Sequence, residues 1–392
     1  LSMLVVDDDD FMLEIIAMTL KQLEVDKITT ANNGNDALAF LNENNHADVI
    51  LCDLNMPGMD GIEFLRHLAS QDFRGGIVLI SSEDKRVLKT AMALAQAHNL
   101  NVIGAIKKPV SVFALSEVLA DLKHNAVEFN STETEILPHE LEQAIENNEL
   151  VMHYQPKVAI DSKKVIGVEC LVRWQHPDKG LIMPDKFISL AEEHGLIDQL
   201  TDQVVSRSLA CAGKWSNQGL KLKMAINISA NSLERLELPE FIVSRINKYG
   251  LAMSDVTLEI TESKLMGDAK IGLDVLTRLS LKKVSLSIDD FGTGYSTLGQ
   301  LQQFPFVELK IDRSFVNGAY KDKNARAILE YCVELAKKLD MSIVAEGVET
   351  KQDWNLVRDL GCDSVQGYYI AKPMDECALL SWLKGWHRAH SV

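Results

Sequence analysis

Acidic and amide side chains recur at the carboxyl ends of successive apolar runs in the second part of the chain. Barrel interiors prefer Val, Ile and Leu, so charged groups at several strand ends indicate an active site. The residues concerned are Glu169, Asn227, Glu259, Asp289, Asp290, Lys310, Glu346 and Gln366. Each one alone is more often a solvated or paired side chain, and their joint placement favours function.

Five carboxylates around one opening repel one another unless divalent cations join them. Two metal ions about 3.5–4 Å apart are the recurring device for hydrolysis of phosphodiesters. We therefore expect these acids to hold two ions, Mg²⁺ or Mn²⁺, with Asp289 and Asp290 contributing to both. Lys310 would orient the attacking water or stabilise developing charge.

A second group of acids lies near the start of the chain. Asp7 and Asp8 follow one apolar run, Asp53 ends another, and Ser81 and Lys108 end two more. In an open α/β sheet the carboxyl ends of strands share one crevice. Mg²⁺ with a hydroxyl and a lysine could hold a phosphoryl group on an aspartate there. The alternative is that Asp7 and its acidic neighbours form a solvated helix N-terminus.

The elements that would position this second group of acids fit a doubly wound α/β sheet. Apolar runs alternate with helical spacing over about 120 residues, which implies parallel pairing with helices on both faces. The predicted strands are Met3–Val6, Asp48–Cys52, Ile77–Ile80 and Asn101–Ile106. A polar segment, His124–Pro138, is predicted to be the linker.

The remaining residues, about 250, fit a (β/α)8 barrel in size. The predicted strands are Met152–Val158, Val165–Val172, Lys223–Ile228, Val256–Thr261, Ser285–Ile288, Val307–Ile311, Ser342–Ala345 and Ser364–Ile370. Only Asp161–Lys164 joins the first two, which is too short for a parallel crossover. We therefore predict a modified barrel whose first strand is antiparallel.

Composition excludes several classes of protein. The 392 residues include 40 Lys plus Arg against 56 Asp plus Glu, a net charge of −16. Such a surface repels phosphate backbones, so we expect no direct DNA binding. No apolar run approaches the roughly 20 residues of a membrane span, no signal peptide is visible, and the six cysteines show no C-x-x-C pair. These features predict a cytoplasmic protein without a membrane span.

The first 123 residues resemble response-regulator receiver domains, a flavodoxin-like fold. The matching blocks are VVDDDD, LCDLNMPGMDG, LISSED and IKKP. The resemblance implies that Asp53 accepts the phosphoryl group and that Asp7, Asp8, Asp53 and the Asn55 carbonyl bind Mg²⁺. It makes Ser81 and Lys108 the switch residues. The position that often carries an aromatic switch residue holds Ala105 instead.

Residues 139–392 resemble the EAL domain, a cyclic di-GMP phosphodiesterase that forms linear pGpG. The matching blocks are YQPKV, ECLVRWQHP, INIS, LEITES, IDDFGTGYSTL, ELKIDRSFV, AEGVET and QGYYIAKPM. The resemblance implies metal binding by Glu169, Asn227, Glu259, Asp289 and Asp290, with Glu346 as a further ligand or as the base. It makes Lys310 the residue that orients water, and places Gln366 near the metal centre.

The same resemblance implies roles for residues around the metals. Glu262 anchors the glycine loop Phe291–Ser296, and Arg173 contacts a phosphate. Gln155, Asp312 and Glu349 are expected beside the substrate. The namesake motif departs from the family pattern, because Cys170 stands where Ala is usual; a small buried residue there should leave activity intact.

A receiver followed by an EAL domain resembles response regulators of the RocR type. We therefore expect a cyclic di-GMP phosphodiesterase that forms homo-oligomers. Its activity would be controlled by phosphorylation of Asp53, and a cognate histidine kinase or phosphotransfer protein would supply the phosphoryl group. One alternative is a sensor that binds the dinucleotide without cleaving it and signals through a partner. Another makes the receiver the working part and the barrel a platform for oligomerisation.

Overall fold

The computed structural model divides the chain into two units, residues 1–134 and 135–392. It describes the chain except residues 24, 26, 44–45, 72, 83–84, 99, 112–114, 117–135, 263–268, 294–300, 302 and 391–392, and the side chains of 85, 86, 89, 269 and 270. Most of the predicted linker and the end of the predicted glycine loop lie outside the described residues.

The first unit is a five-stranded parallel sheet in the order β2-β1-β3-β4-β5. This order confirms the predicted flavodoxin-like fold. The elements are β1 (Ser2–Val6), α1 (Asp10–Gln22), β2 (Lys27–Ala31), α2 (Gly34–Asn42), β3 (Val49–Asp53), α3 (Gly61–Ser70), β4 (Gly76–Ser81), α4 (Lys85–Ala97) and β5 (Asn101–Lys107). The strand β2 and the helix α2 were not among the predicted elements.

Both faces of this sheet are buried. Leu4 and Val6 of β1 belong to one apolar cluster, whereas Met3 and Val5 belong to the cluster on the other face. Helices therefore cover both sides, and the polar side chains of the unit collect where the parallel strands end.

The second unit contains the remaining helices and strands. They are α5 (Pro138–Glu146), β6 (Leu150–Ala159), β7 (Val165–His176), β8 (Gly180–Ile182), α6 (Ile188–Glu193), α7 (Ile197–Asn217), β9 (Lys223–Asn227), α8 (Leu238–Lys248), β10 (Val256–Thr261), α9 (Ala269–Leu281), β11 (Ser285–Phe291), β12 (Glu308–Ile311), α10 (Arg313–Val316), α11 (Lys323–Lys338), β13 (Ser342–Ala345), α12 (Lys351–Leu360), β14 (Ser364–Val365) and α13 (Glu376–His390).

Eight of these strands close into a barrel. From β7 the order runs through β9, β10, β11, β12, β13 and β14 in parallel, and β6 pairs with both β14 and β7 in the antiparallel sense. The predicted antiparallel first strand is therefore confirmed. The short strand β8 extends β7 as an antiparallel hairpin outside the closed ring.

The last barrel strand is shorter than the sequence predicts. The apolar run predicts Ser364–Ile370, but β14 ends at Val365. Gly367 then brings the chain against Val348, and a Cβ on this glycine would lie 2.2 Å from the Val348 carbonyl oxygen. This close approach ends the strand and turns Gln366 toward the barrel opening.

Apolar side chains fill the layer between strands and helices. Leu258, Ile288, Leu309 and Ile343 are all buried in one continuous cluster. Helix ends are fixed locally: Thr350 and Asp353 form a reciprocal cap at the start of α12. Among the described residues, no helix is both long and apolar enough to span a membrane.

Candidate functional site

The predicted acids meet at the end of the barrel where the parallel strands finish. Strand register aligns Glu259 with Asn227 and Thr261 with Asp289. Carboxylate oxygens of Glu169, Glu259 and Asp289 all lie within 4.8 Å of one another, and so do those of Asp289, Asp290 and Glu346. The two groups share Asp289, so the site has two adjoining sets of oxygen donors.

Lys310 lies at the centre of these acids with only 1% of its side chain exposed. Its Nζ lies 2.8 Å from Glu346 Oε1, 2.9 Å from Glu259 Oε2 and 3.0 Å from Asp289 Oδ1. Burial alone would lower the pKa of this amine, but the surrounding carboxylates, Asp289 foremost, raise it well above its usual value. Lys310 therefore stays charged.

Amide side chains hold Glu169 from two sides. Asn227 Nδ2 donates to Glu169 Oε1 at 2.8 Å, and Gln366 Nε2 donates to the other oxygen. Gln366 Nε2 also reaches Gln155 Oε1 at 2.9 Å. Burial raises the pKa of Glu169, but the Lys310 charge and these two hydrogen bonds outweigh it and the net pKa is lowered. Glu169 is therefore ionised and fixed in orientation.

Glu259, Glu346 and Asp290 are less easily ionised because they are buried among other acids. Burial raises the pKa of Glu259 well above its usual value, that of Glu346 to about 8 and that of Asp290 to about 6. Glu259 Oε1 is buried without a hydrogen-bond partner among the described residues. One lysine does not neutralise five carboxylates, and this all-oxygen donor set fits hard divalent cations.

The acids open into a cavity of about 320 Å³. Eight predicted site residues line it: Gln155, Glu169, Asp289, Asp290, Lys310, Glu346, Glu349 and Gln366. Leu171, Arg313, Gly347, Gly367, Tyr368 and Pro373 complete the lining and were not predicted. The cavity therefore joins the metal-binding donors to a wall that a bound molecule would contact.

Five predicted residues do not line this cavity: Asn227 and Glu259, whose contacts are given above, and Arg173, Asp312 and Glu262. The buried Arg173 donates from Nη1 to its neighbour's carbonyl, Val172 O, at 2.8 Å. Asp312 caps α10 by accepting from Ser314 N at 2.9 Å. Glu262 Oε2 accepts from Gly292 N at 2.8 Å, which is the contact expected of a loop anchor.

The backbone bends sharply where the acid pair leaves the strand. Asp290 has a φ of +53°, in the left-handed region that non-glycine residues seldom adopt. Its carbonyl accepts from Thr293 Oγ1 at 2.8 Å, and its amide donates to Asp289 Oδ1 at 2.9 Å. This turn directs the neighbouring carboxylates Asp289 and Asp290 into the same opening.

Two charged residues near the site escaped sequence reasoning. Lys157 is buried inside the barrel, with Nζ 2.8 Å from Glu308 Oε1 and 3.8 Å from Glu259 Oε1. Arg313 contacts the predicted residue Glu349, with Nη2 3.3 Å from Oε1. The signal for Lys157 was its place in a strand of the barrel, in the YQPKV block; that for Arg313 was its position directly after Asp312.

The first unit brings its predicted residues together in one crevice. Carboxylate oxygens of Asp7, Asp8 and Asp53 lie within 4.8 Å of one another. Lys108 Nζ lies 2.7 Å from Asp53 Oδ2 and 2.8 Å from Asp7 Oδ2. Burial lowers the pKa of Lys108, but its hydrogen bonds to Asp53 and Asp7 outweigh this and raise it, whereas burial raises the pKa of Asp7. This crevice can hold a cation, and a phosphoryl group on Asp53 would lie within reach of Lys108.

The remaining receiver positions surround the same crevice. Asn55 is exposed, and its backbone N–H donates to Asp53 Oδ1 at 3.3 Å. Ser81 is buried at the end of β4, where its carbonyl accepts from Lys108 N at 2.9 Å. Ala105 lies in β5 and packs beside an apolar cluster. Alanine has no alternative side-chain rotamers, so this side chain cannot change its orientation as an aromatic side chain can.

Comparison with known families agrees with both units. Residues 3–120 match the response regulator receiver domain, and residues 139–373 match the EAL domain. The chain is similar to the cyclic di-GMP phosphodiesterase RocR of Pseudomonas aeruginosa, with 34% identity over 98% of this chain and 99% of RocR.

Similarity confined to the second unit is higher. The bifunctional diguanylate cyclase/cyclic di-GMP phosphodiesterase MucR of Pseudomonas aeruginosa is 42% identical over 64% of this chain and 37% of MucR. The solved structure of the MucR phosphodiesterase in complex with c-di-GMP matches with a TM-score of 0.59, over 62% of this chain and 98% of the other. The chain belongs to the EAL domain family and carries a response-regulator receiver domain ahead of its EAL domain.

Proposed function

We propose that this chain is a cyclic di-GMP phosphodiesterase whose activity is controlled by phosphorylation of its receiver domain. The proposal rests on two sets of carboxylates at a cavity of the barrel. The two sets share Asp289 and surround Lys310. The RocR-like order of domains over nearly the whole chain supports the same assignment. The product would be linear pGpG. In the cell, the reaction would lower the concentration of the cyclic dinucleotide.

The acids would hold two divalent cations, Mg²⁺ or Mn²⁺. One set would comprise Glu169, Glu259 and Asp289 with the Asn227 side-chain oxygen, and the other Asp289, Asp290 and Glu346. When bound, such ions polarise phosphoryl oxygens and lower the pKa of water. They also reverse the local charge, which allows a protein with a net charge of −16 to accept a phosphodiester.

The protein's own side chains orient the groups around the scissile bond. Lys310 donates to several carboxylates at once, so it can hold an attacking water in line and offset charge that develops on phosphorus oxygens. Glu346 lies 2.8 Å from Lys310 Nζ, where it would bind a metal ion or, in its ionised form, accept a proton from that water. Gln366 and Asn227 fix Glu169.

The wall of the cavity would bind the dinucleotide. Gln155 and Glu349 of this wall are proposed as substrate neighbours, together with Arg173 and Asp312, which do not line the cavity. Arg313 joins them, because its guanidinium lines the cavity and matches phosphate geometry. Glu262 would anchor the glycine loop that begins at Phe291.

The receiver unit would bind Mg²⁺ through Asp7, Asp8, Asp53 and the Asn55 carbonyl, with Asp53 as the phosphorylated residue. A cognate histidine kinase or phosphotransfer protein would supply the phosphoryl group. Ser81 and Lys108 would contact that group, as their positions at the crevice allow. Assembly of several copies stays a prediction that sedimentation of the purified chain would check.

Hydrolysis of cyclic di-GMP tests the catalytic assignment. We expect the purified chain to form pGpG with Mg²⁺ or Mn²⁺, separated by liquid chromatography, and chelation of the metal to stop turnover. Glu169→Ala should lower turnover by about a thousandfold or more, because it removes a donor from the metal centre. Glu330→Ala, which removes an exposed acid on α11, is the matched control and should retain activity.

Two outcomes would contradict the assignment. Tight binding of the dinucleotide by the wild-type chain without any product, at saturating metal, would identify a sensor instead of an enzyme. Equal turnover in the wild type and in Glu169→Ala would place catalysis elsewhere.

A further inference from the structure

A second cavity, of about 430 Å³, lies on the EAL unit and shares no lining residue with the catalytic cavity. Side chains of α12 and α13 form its walls, together with Lys163 from the β6–β7 connection and Tyr369. Its volume falls within the roughly 300–1,000 Å³ of small-molecule sites. The cavity is therefore large enough for a small ligand.

Cationic side chains surround the opening of this cavity. Four of the eight described lining residues carry or can acquire positive charge, namely Lys163, Lys351, Arg358 and His390, and none of the eight is acidic. Arg358 also donates to Asp359 at 2.8 Å, whereas the ammonium groups of Lys163 and Lys351 have no hydrogen-bond or ion-pair partner among the described residues. In a chain with a net charge of −16, this concentration of cations indicates an anionic ligand.

Aromatic rings form the interior of the same cavity. The rings of Trp354 and Tyr369 lie 6.1 Å apart between centroids, and Trp386 stacks on Trp382 at 5.0 Å. Trp386 Nε1 donates to Lys163 O at 2.8 Å, which fixes the indole in place. Trp354 is 8% exposed, whereas Trp386 and Tyr369 keep more of their surface open. His390 lies over Trp386 as well, with ring centroids 4.2 Å apart, so the most open aromatic face beside the cations is that of Tyr369, which is 44% exposed.

Helix geometry explains why charge and rings share one surface. Lys351, Trp354, Asn355 and Arg358 are spaced i, i+3, i+4 and i+7 on α12, which places them on one face. Trp382, Trp386 and His390 repeat every four residues on α13. Packing alone would favour aliphatic residues at such positions. Exposed cations close to one another repel and do not stabilise the fold.

We propose that this cavity is a binding site for a phosphorylated aromatic compound of the size of a nucleoside monophosphate. The base would stack on the exposed Tyr369 ring, since aromatic side chains accept any base through its π-face. Lys351 and Arg358 would bind the phosphate by charge-assisted hydrogen bonds. The Asn355 amide can donate to and accept from the polar edge of a base. This site is separate from the proposed catalytic function.

Calorimetric titration of the full-length chain with guanosine 5′-monophosphate tests the proposal. The titration is done in a chelator, so that metal-dependent binding in the catalytic cavity does not contribute. We expect saturable binding of one nucleotide per chain. Lys351→Gln should weaken it by about tenfold or more, because a charge-assisted hydrogen bond is lost. Lys321→Gln is the matched control: Lys321 is an exposed lysine that lies over the Tyr320 ring and does not line the cavity, so this variant should bind as the wild type does.

Parallel titrations with inorganic phosphate and with guanosine separate the two halves of the proposed ligand. Each should bind about tenfold or more weakly than the nucleotide. Phosphate that binds as tightly as the nucleotide would overturn the role of the rings. Absence of saturable binding at millimolar nucleotide, or equal affinity of Lys351→Gln and Lys321→Gln, would overturn the site. Both lysines are exposed, so neither substitution should unfold the chain.

Discussion

Lys157 is a buried cation inside the barrel, 5% exposed, between Glu308 and Glu259. Burial lowers its pKa, but the charges of Glu308 and Glu259 outweigh this and the net pKa is raised. Removing one partner of a buried pair leaves the other charge uncompensated. Lys157→Met should therefore lower the free energy of unfolding of the EAL unit by about 3 kcal/mol.

Tryptophan fluorescence during denaturant unfolding measures this change. The five tryptophans, Trp174, Trp215, Trp354, Trp382 and Trp386, all lie in the second unit, so the signal reports that unit alone. Lys214→Met is the matched control, because Lys214 is an exposed partner of Glu376 and its loss should change little. Equal midpoints for the two variants would show that the Lys157 contacts do not stabilise the barrel.

Buried carboxyls predict that the metal-free EAL unit is less stable at higher pH. Burial raises the pKa of Glu346 from 4.5 to about 8, so the folded chain holds a proton that the unfolded chain has released. The stability from this group is complete below pH 4.5 and is lost as the pH rises toward 8. Between pH 5 and pH 7.5 the loss should be about 3 kcal/mol.

Denaturant unfolding in a chelator at several pH values measures this dependence. Glu346→Gln cannot ionise, so its stability should fall less steeply over the same interval. An identical slope in the variant would contradict the raised pKa of Glu346. Stability that rises with pH in the wild type but not in the variant would contradict its sign.

At the scale of single residues, the sequence predicts the site residues at strand ends better than those inside the strands. Glu259, Asp289 and Lys310 follow or interrupt apolar runs, and the structure brings them together. Lys157 escaped because both faces of β6 are buried: Tyr154 and Val158 pack in the core, while Gln155 and Lys157 alternate with them. Alternation between polar and apolar residues then does not tell which face points inward.

At the scale of elements, the connection from β13 to α12 positions Glu346. Gly347, the next residue, has a φ of +63°, and a Cβ there would lie 2.3 Å from Arg313 Cγ and 2.9 Å from Arg313 Cα. The backbone of α10 cannot yield as a flexible side chain does. Gly347→Ala should therefore displace Glu346 and lower turnover by about a hundredfold, since misplacement of about 1 Å costs that much.

Gly318→Ala is the control that separates crowding from backbone conformation. Gly318 has a φ of +74°, but a Cβ there would meet nothing within 4 Å. This variant should lose about 1 kcal/mol of stability and keep its turnover. Steady-state hydrolysis of cyclic di-GMP by both variants, after circular dichroism has confirmed folding, measures the difference. Equal turnover would show that the Gly347–Arg313 contact does not position the site.

The sequence predicts buried parallel strands well, because they form uninterrupted apolar runs. The strand β2 escaped because Lys27–Ala31 is the polar edge strand of its sheet, with three of its five residues Lys or Thr. The early end of β14 escaped for another reason: Gly367 lies against Val348, a contact distant from any local pattern. The antiparallel pairing of β6 with β7 was predicted from a connection too short to cross the sheet.

For the whole molecule, control requires that the state of one domain changes the equilibrium of the other. A phosphoryl group on Asp53 carries about −1.5 to −2 charges in place of the single charge of the carboxylate, next to Lys108. Ala105 lacks the ring that reports this event in many receivers, so the signal must pass through other groups of the crevice. Couplings between sites are typically about 1–3 kcal/mol, or roughly 5- to 150-fold in an equilibrium.

Turnover with and without acetyl phosphate, in the presence of Mg²⁺, tests this coupling. We expect the donor to change cyclic di-GMP turnover of the wild type by about fivefold or more and to leave Asp53→Asn unchanged. Asp48→Asn is the matched control, because Asp48 precedes β3 at the end opposite Asp53 and should respond as the wild type does. Mass spectrometry of each chain measures its phosphoryl group. A phosphorylated wild type whose turnover equals that of Asp53→Asn would show that the two domains act independently.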